Sequence, residues 1–441
     1  MTAVIGAGRR NAELGLMILA AVLTVGAYLL ASLGRTSSLP ANVGPFLVVI
    51  LGLLVLAHVA TRRLAPNADG TLLPLAALLN GLGYVFIARL DHKLAALQAL
   101  WTALGIVAFV GTLLVVRRTR DLERYRYTFA LIGIGLLLMP LLPVVGRNIN
   151  GARLWVRIGG ISFQPGEFAK VTLCIFLASY LVEKRELLSI GTRRVGRIVV
   201  PDLKYFGPIL LAWGLSMVVL VAERDVGTSV LFFAFFLAML WVATARSAYL
   251  LIGAGMFAVG GLVAVKTFAH VHERITVWIN PWPLANGNGF QTVQALFALA
   301  AGGIFGTGLA LGSPTRIPEV ATDFIFAAVG EELGLLGTAA IIIAFLLIVG
   351  TGFRIALRAE SPFEKLLATG LTTIIGVQAF IIMGGVSRLV PLTGITLPFV
   401  SYGGSSLLAN YVLLALLLRI SDSETSRRST LVAEPIEPVA Q

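Results

Sequence analysis

The sequence predicts an all-α polytopic membrane protein of about twelve transmembrane helices. Three observations carry that prediction. Of 441 residues, 57% are hydrophobic and 13% charged, a balance foreign to a soluble globular domain. Apolar stretches of roughly 18 residues or more, each able to cross a hydrocarbon core of about 30 Å as a helix, recur along nearly the whole length. The basic residues sit in the short connections between those stretches rather than on one continuous face.

Taken in order, the predicted spans are 13–34, 42–60, 71–90, 94–116, 127–145, 165–182, 205–222, 226–244, 247–268, 324–349, 364–386 and 398–419. Residues 1–68 form a leading pair of spans with few polar groups, 69–420 a core with polar motifs at its outer helix ends, and 421–441 a flexible cytoplasmic tail. The first span has no small-residue cleavage site after a short apolar core and is expected to be retained. Arg9 and Arg10, Arg62 and Arg63, the cluster from Arg117 to Arg126, the segment from Lys184 to Lys204, Arg246, Arg354 with Arg358 and Lys365, and Arg427 with Arg428 fall on one side of this arrangement. The positive-inside rule then makes that side and both termini cytoplasmic. The net charge of +12 is thereby explained by topology and gives no reason to invoke nucleic acid. Residues 290–311 are apolar but broken by Gly302, Gly303, Gly306 and Gly308, and counting them as a span would invert the charge pattern. They are predicted to be interfacial or re-entrant, part of a large outer loop (269–323) between helices nine and ten.

Cys174 is the single cysteine, inside a span, so no intramolecular disulfide forms. A His-x-His-Glu stretch at 270–273 offers two imidazoles without a third ligand and reads as a solvated helix end rather than a metal site.

The outer connections hold arginines despite the bias against them: Arg147, Arg153, Arg157, Arg224, Arg274, Arg316 and Arg388. An anionic ligand would explain them, because the guanidinium fork donates parallel hydrogen bonds to phosphate, although each could instead pair with a carboxylate or headgroup. Ionisable groups near spans are costly unless paired or hydrated. Gln164-Pro165-Gly166-Glu167-Phe168-Ala169-Lys170 puts Glu167 and Lys170 on one helix face, where they could neutralise each other. Glu223-Arg224-Asp225-Val226-Gly227-Thr228 is a charged outer turn in which Asp225 could cap the next helix. In Thr322-Asp323-Phe324-Ile325-Phe326, Asp323 stands at a helix mouth and is the carboxylate best placed to face an outer cavity. Glu331 and Glu332 of Gly330-Glu331-Glu332-Leu333-Gly334 lie deeper and suit interhelical bonding, while the glycines permit close helix approach. The stretch from Pro391 to Ser406 cannot be a continuous helix, and its hydroxyls, Ser405 and Ser406 among them, could hold a polar headgroup or mark a structural break.

Together with Gly151-Ala152-Arg153-Leu154-Trp155-Val156-Arg157 and Phe290-Gln291-Thr292-Val293-Gln294, these motifs resemble in order and spacing the SEDS family of cell-wall glycosyltransferases, whose members include FtsW, RodA and SpoVE. The resemblance runs from about residue 71 to 420. It departs from the family pattern at Gly166, Glu223-Arg224, Phe290 and Ala321, positions where the family commonly has serine, Gln-Pro or Glu-Pro, tyrosine and histidine. It implies a ten-helix core, to which the leading pair is an addition, and a peptidoglycan glycosyltransferase that polymerises lipid II on the outer face of the bacterial cytoplasmic membrane. The leading pair, the short tail and Gly385-Val386-Ser387-Arg388 look more like an elongation-type member than a division-type one. By the same resemblance Asp323 is the essential carboxylate and general base. Arg157, Glu167, Lys170, Arg224, Asp225, Gln291, Gln294, Arg316, Ser405 and Ser406 are candidates for substrate binding. A magnesium or manganese ion would be held mainly by the substrate pyrophosphate, with no dedicated protein cage. The expected partners are lipid II, the nascent glycan strand, membrane lipids and a class B penicillin-binding protein. A lipid II flippase and a non-catalytic scaffold that recruits a transpeptidase are the alternatives.

Overall fold

The computed structural model describes residues 2–36, 43–143, 145–149, 152–158, 161–189, 191–195, 198–201, 210, 214–215 and 217–433. Its helices are α1 (Thr2–Thr36), α2 (Val43–Leu64), α3 (Leu72–Leu90), α4 (His92–Val115), α5 (Thr119–Arg124), α6 (Arg126–Leu138), α7 (Gly166–Ser189), α8 (Val226–Thr244), α9 (Ser247–Thr267), α10 (Ala269–Ile279), α11 (Phe290–Gly302), α12 (Ile325–Arg358), α13 (Pro362–Val386) and α14 (Gly404–Ala433). Among the described residues eight helices are long and apolar enough to cross a membrane: α1, α3, α4, α8, α9, α12, α13 and α14. The chain is a polytopic helical membrane protein. The expected span over 205–222 falls largely outside the described residues, which resume in a π-helical turn over Val219–Glu223.

Local chemistry sets the helix starts. Asp91 caps α4 by accepting from the Lys93 and Leu94 amides at 2.7 and 3.4 Å. Pro362 opens α13 at a position whose amide would be unpaired in any case. The core centres on α13, which is buried along most of its length against α7, α8 and α12, and on α14, which packs chiefly against α4.

Four features depart from the sequence expectation. The connection 146–164 is a three-stranded antiparallel sheet, β1 (Gly146–Ile149), β2 (Ala152–Ile158) and β3 (Ile161–Phe163), and 191–201 is a hairpin, β4 (Gly191–Val195) with β5 (Ile198–Pro201). The period-two signal was present in β2, where Arg153 and Arg157 face outward and Val156 is buried. Secondly, an amphipathic helix, α10, opens the long connection between α9 and α12. Thirdly, α14 begins at Gly404 and not at 398, since the irregular stretch expected from Pro391 onward holds the chain out of the helix up to Gly403.

Fourthly, the tail does not leave the fold at Ser421. The helix α14 continues to Ala433, and Ser421–Ser426 dock on the connection between α2 and α3 and on the start of α13. Asp422 accepts from the Asn67 amide at 2.8 Å, Ser421 from the Asp69 amide at 3.0 Å, and Ser423 donates to Glu364 at 2.7 Å. Polar composition there reflects buried hydrogen bonding, not solvation.

Within 290–311 the helix α11 has only 13 residues, a length of about 20 Å and short of a hydrocarbon core of about 30 Å. The chain then turns back along α12, which is kinked at Gly334 with φ +66°. The kink frees backbone groups that the returning loop satisfies, through Leu335 N to Gly303 O at 2.9 Å and Thr307 N to Glu331 O at 2.9 Å. A Cβ at Gly334 would lie 2.3 Å from the Gly306 nitrogen, so two constraints forbid a side chain. Gly334→Ala is therefore expected to destabilise the protein by about 2 kcal/mol or more, read as a lowered melting temperature in detergent.

Candidate active site

The segment that carries Asp323 is braced from both sides. A 3-10 turn over Pro314–Arg316 leads into a run of turns, and the Asp323 amide donates to Glu319 O at 3.1 Å. Phe324 and Ile325 follow, fully buried, and anchor the start of α12. Against this run lies the irregular stretch before α14. Tyr402 N donates to Ala321 O at 2.8 Å, and the Ser401 hydroxyl donates to Thr322 O at 2.5 Å while accepting from Leu397 N at 2.9 Å. The prolines and glycines of 391–404 thus serve to wrap a strap around the residue before the helix.

Gly394, at φ +76°, marks the meeting point. A Cβ there would lie 3.3 Å from Asp323 Oδ2 and 3.7 Å from both Arg274 Nη1 and Nη2. The bare glycine leaves space in which carboxylate and guanidinium face one small volume. Arg274 projects from α10 and is fixed by donation from Nη1 to Leu392 O at 2.8 Å. Burial lifts the half-buried Asp323 carboxyl to about 6, with Glu319 and Asp225 adding to the rise while Thr322 and Arg274 oppose it.

Two further groups converge. Asp225 caps α8 by accepting from Thr228 N at 3.0 Å, and its other oxygen, Oδ2, is buried with no hydrogen-bond partner among the described residues. Burial pushes this carboxyl up, with Arg274 opposing and Glu167 reinforcing the rise. Glu167 and Lys170 form a buried ion pair at 2.6 Å near the start of α7. Lys170 also donates to Gln378 Oε1 at 2.6 Å, and Gln378 donates in turn to Thr396 O at 2.8 Å, which ties the pair to the strap. On the same strap the Thr393 and Thr396 hydroxyls are buried without hydrogen-bond partners among the described residues.

The structure therefore brings Asp323, Asp225, Glu167 and Lys170 into one electrostatic neighbourhood with Arg274. The other sequence candidates lie elsewhere. Arg224 is exposed at φ 60° and shares with Arg274 an influence on His270, whose imidazole is held below its ordinary range mainly by burial. Arg157 is exposed on β2, and Arg316 is exposed at the end of its turn. Gln291 and Gln294 are half-buried in the first turns of α11. Ser405 accepts from Gln164 N at 3.0 Å and Ser406 is within 3.3 Å of Asn410 Nδ2, so both hydroxyls are engaged inside the fold. Glu331 and Glu332 hold the outer loop: Glu331 accepts from Ser313 N at 2.7 Å, and Glu332 accepts from Ala310 N at 3.0 Å and pairs with Arg89 at 2.7 Å.

Arg274 is the residue that motif reasoning left undistinguished among seven outer arginines. Its signal was the amphipathic pattern of 269–279, which places Arg274 and Trp278 one helical turn apart on a helix that the hydropathy profile did not mark.

A divalent cation fits this donor set in a limited way. The hard oxygens present are carboxylates, with Asp225 Oδ2 unpartnered, and among the described residues no group of three or more acidic, histidine or cysteine side chains is assembled to cage a metal.

Comparison with known proteins follows the same lines. The chain is 44% identical over 424 residues to the peptidoglycan glycosyltransferase RodA of Mycobacterium tuberculosis, covering 94% of this chain and 90% of that one. It is 34% identical over 373 residues to the stage V sporulation protein E of Bacillus subtilis, covering 82% and 98%. Among solved structures, the rod shape determining protein RodA of Thermus thermophilus superimposes with a TM-score of 0.56 at 28% identity, over 80% of this chain and 96% of that one. A chain from a peptidoglycan synthase complex, described as coordinating polymerization and crosslinking, superimposes with a TM-score of 0.63 at 26% identity, over 81% and 98%. The model of the FtsW/RodA/SpoVE family, described as cell cycle protein, matches residues 72–426, and this chain belongs to that family.

Proposed function

We propose that the protein is a peptidoglycan glycosyltransferase that polymerises lipid II on the outer face of the cytoplasmic membrane. The observation that carries the reading is the juxtaposition of Asp323 and Arg274 across the bare backbone of Gly394. Asp323, with its carboxyl lifted to about 6, is ionised at neutral pH yet basic enough to take a proton from a sugar hydroxyl. As that acceptor oxygen bonds to the anomeric carbon of the donor, the bond from this carbon to the lipid pyrophosphate breaks. The departing oxygen gains negative charge, which Arg274 stabilises. Lys170 is held by Glu167 and Gln378 and orients the strap instead of facing the leaving group. A bound magnesium or manganese ion would neutralise pyrophosphate charge, with Asp225 as its protein ligand.

The donor is recognised through its pyrophosphate, and the growing strand is the acceptor or the donor of the next cycle. A class B penicillin-binding protein is the partner expected to crosslink the product. The resemblance to a chain from a synthase complex supports this.

The acid limb of kcat/KM is expected near pH 6, with activity falling tenfold per unit below it, because protonated Asp323 cannot act as base. A pH–rate profile flat from pH 5 to 8 contradicts the assignment of the base.

The competing reading is a lipid transporter. Purified protein in vesicles loaded with fluorescent lipid II separates the two. A polymerase yields a ladder of glycan that a muramidase degrades; a transporter changes the accessibility of the probe without forming product.

A further inference from the structure

The first two helices precede the family match, which begins at residue 72, and the chemistry above gives them no role. We propose that α1 is a positioning element of the active site, its Gly34 backing the outer loop that delivers Asp323. This rests on the reading of Asp323 as the base.

Three observations support it. First, α1 is seated on the core by a specific seam. Met17, Ala20, Ala21, Thr24 and Ala31 are buried at helical spacing. A Cβ at Gly81 of α3 would fall 2.1 Å from the Thr24 hydroxyl, and Tyr28 meets Tyr84 ring to ring at 6.5 Å. At its other end Glu13 bonds His58 of α2 at 2.9 Å, both buried. The helix is therefore fixed both along its length and against sliding.

Second, the end of that seam touches the loop backbone. A Cβ at Gly34 would lie 2.4 Å from Leu309 O and 3.6 Å from Ala310 Cβ. The obstacle is a carbonyl oxygen, which no change of rotamer can move. By contrast, Gly26 on the same helix has nothing within 4 Å of the corresponding point.

Third, the touched residues are tied to the machinery. Ala310 N donates to Glu332 at 3.0 Å, Ser313 N donates to Glu331 at 2.7 Å, and Arg89, in the last turn of α3, pairs with Glu332 at 2.7 Å and donates to Gly312 O at 2.7 Å. The same stretch runs on through Pro314–Arg316 to Asp323, whose amide is set by Glu319. Helices α1 and α3 thus grip opposite parts of one short loop, and a displacement at Leu309 is passed along bonded backbone toward the carboxylate.

The test uses the full chain with Gly34→Leu, Gly34→Ala and Gly26→Leu, assayed for glycan formation and for amide hydrogen exchange. Gly34→Leu is expected to lower kcat by about tenfold or more with little change in KM for lipid II, since misplacement by about 1 Å costs rate before it costs binding. Gly34→Ala should give a smaller loss and Gly26→Leu none. Exchange at Thr307, Gly308, Ala310 and Ser313 should accelerate in Gly34→Leu while the amides of α13 stay protected. Unchanged exchange in the loop, or a normal kcat per folded Gly34→Leu molecule, overturns the proposal. The exchange result does not depend on what the protein catalyses. Accelerated loop exchange in Gly34→Leu, together with a wild type that makes no glycan, would sink the assigned chemistry and leave the grip of α1 standing.

Discussion

Asp323→Ala is expected to reduce kcat for glycan formation by about 10²–10⁴-fold, the usual contribution of a positioned general base. Asp323→Asn should be equally impaired, because the amide fills the space between Thr322 and Gly394 but cannot accept the proton. The two variants should nevertheless fold. Burial raises the Asp323 carboxyl above its ordinary value, to about 6, so the folded state binds a proton more tightly than the unfolded chain does. The folded state is therefore penalised for ionised Asp323 at neutral pH, and this penalty fades as pH falls from 6 toward 4. Asp323→Asn is expected to melt at or above the wild-type temperature at pH 7.5, with the difference closing at pH 4. Loss of activity accompanied by a lowered melting temperature would point to a structural role instead.

Lys170→Met is expected to have the largest effect on stability, about 3–5 kcal/mol, because it strands the buried carboxylate of Glu167 and removes the donor to Gln378. The companion variant Glu167→Gln with Lys170→Met removes both charges and should recover most of that loss, since replacing a whole buried pair is often close to neutral. Thermal melting of the single and double variants in the same detergent gives the comparison. If the double variant regains stability but stays inactive, the pair contributes to activity beyond holding the fold. Equal destabilisation of single and double variants would contradict the pairing.

Much of the architecture was legible because the bilayer imposes a simple code. Length and apolarity marked α1, α3, α4, α8, α9, α12, α13 and α14, and the cationic connections ordered them. What hydropathy could not register was structure outside the hydrocarbon. The strand β2 alternates over only seven residues, α10 is amphipathic, and Ser421–Ser426 look solvated until their partners Asn67, Asp69 and Glu364 are seen. Those partners are more than 50 residues away in sequence, and no local pattern announces them.

The active site divides in the same way. Asp323, Asp225, Glu167 and Lys170 stood out because ionisable groups beside spans are rare. Arg274 did not, because its importance is set by contact with Leu392 and by the empty face of Gly394. For Ser405 and Ser406 the sequence left a headgroup site and a structural break equally open. Gln164 and Asn410 are the groups their hydroxyls meet. The Gly330–Gly334 motif was read as helix packing, and only Gly330, against Leu299, does that. Gly334 breaks the helix so that the loop before Asp323 can dock.

The most direct test of the central claim is polymerisation of purified lipid II with magnesium or manganese by the wild type and Asp323→Ala, each co-purified with a transpeptidase whose own active site is inactivated. The account predicts a muramidase-sensitive glycan ladder from the wild type and none from the folded variant. Product from both discards Asp323 as the base, and product from neither contradicts the assignment of the chain as the polymerase.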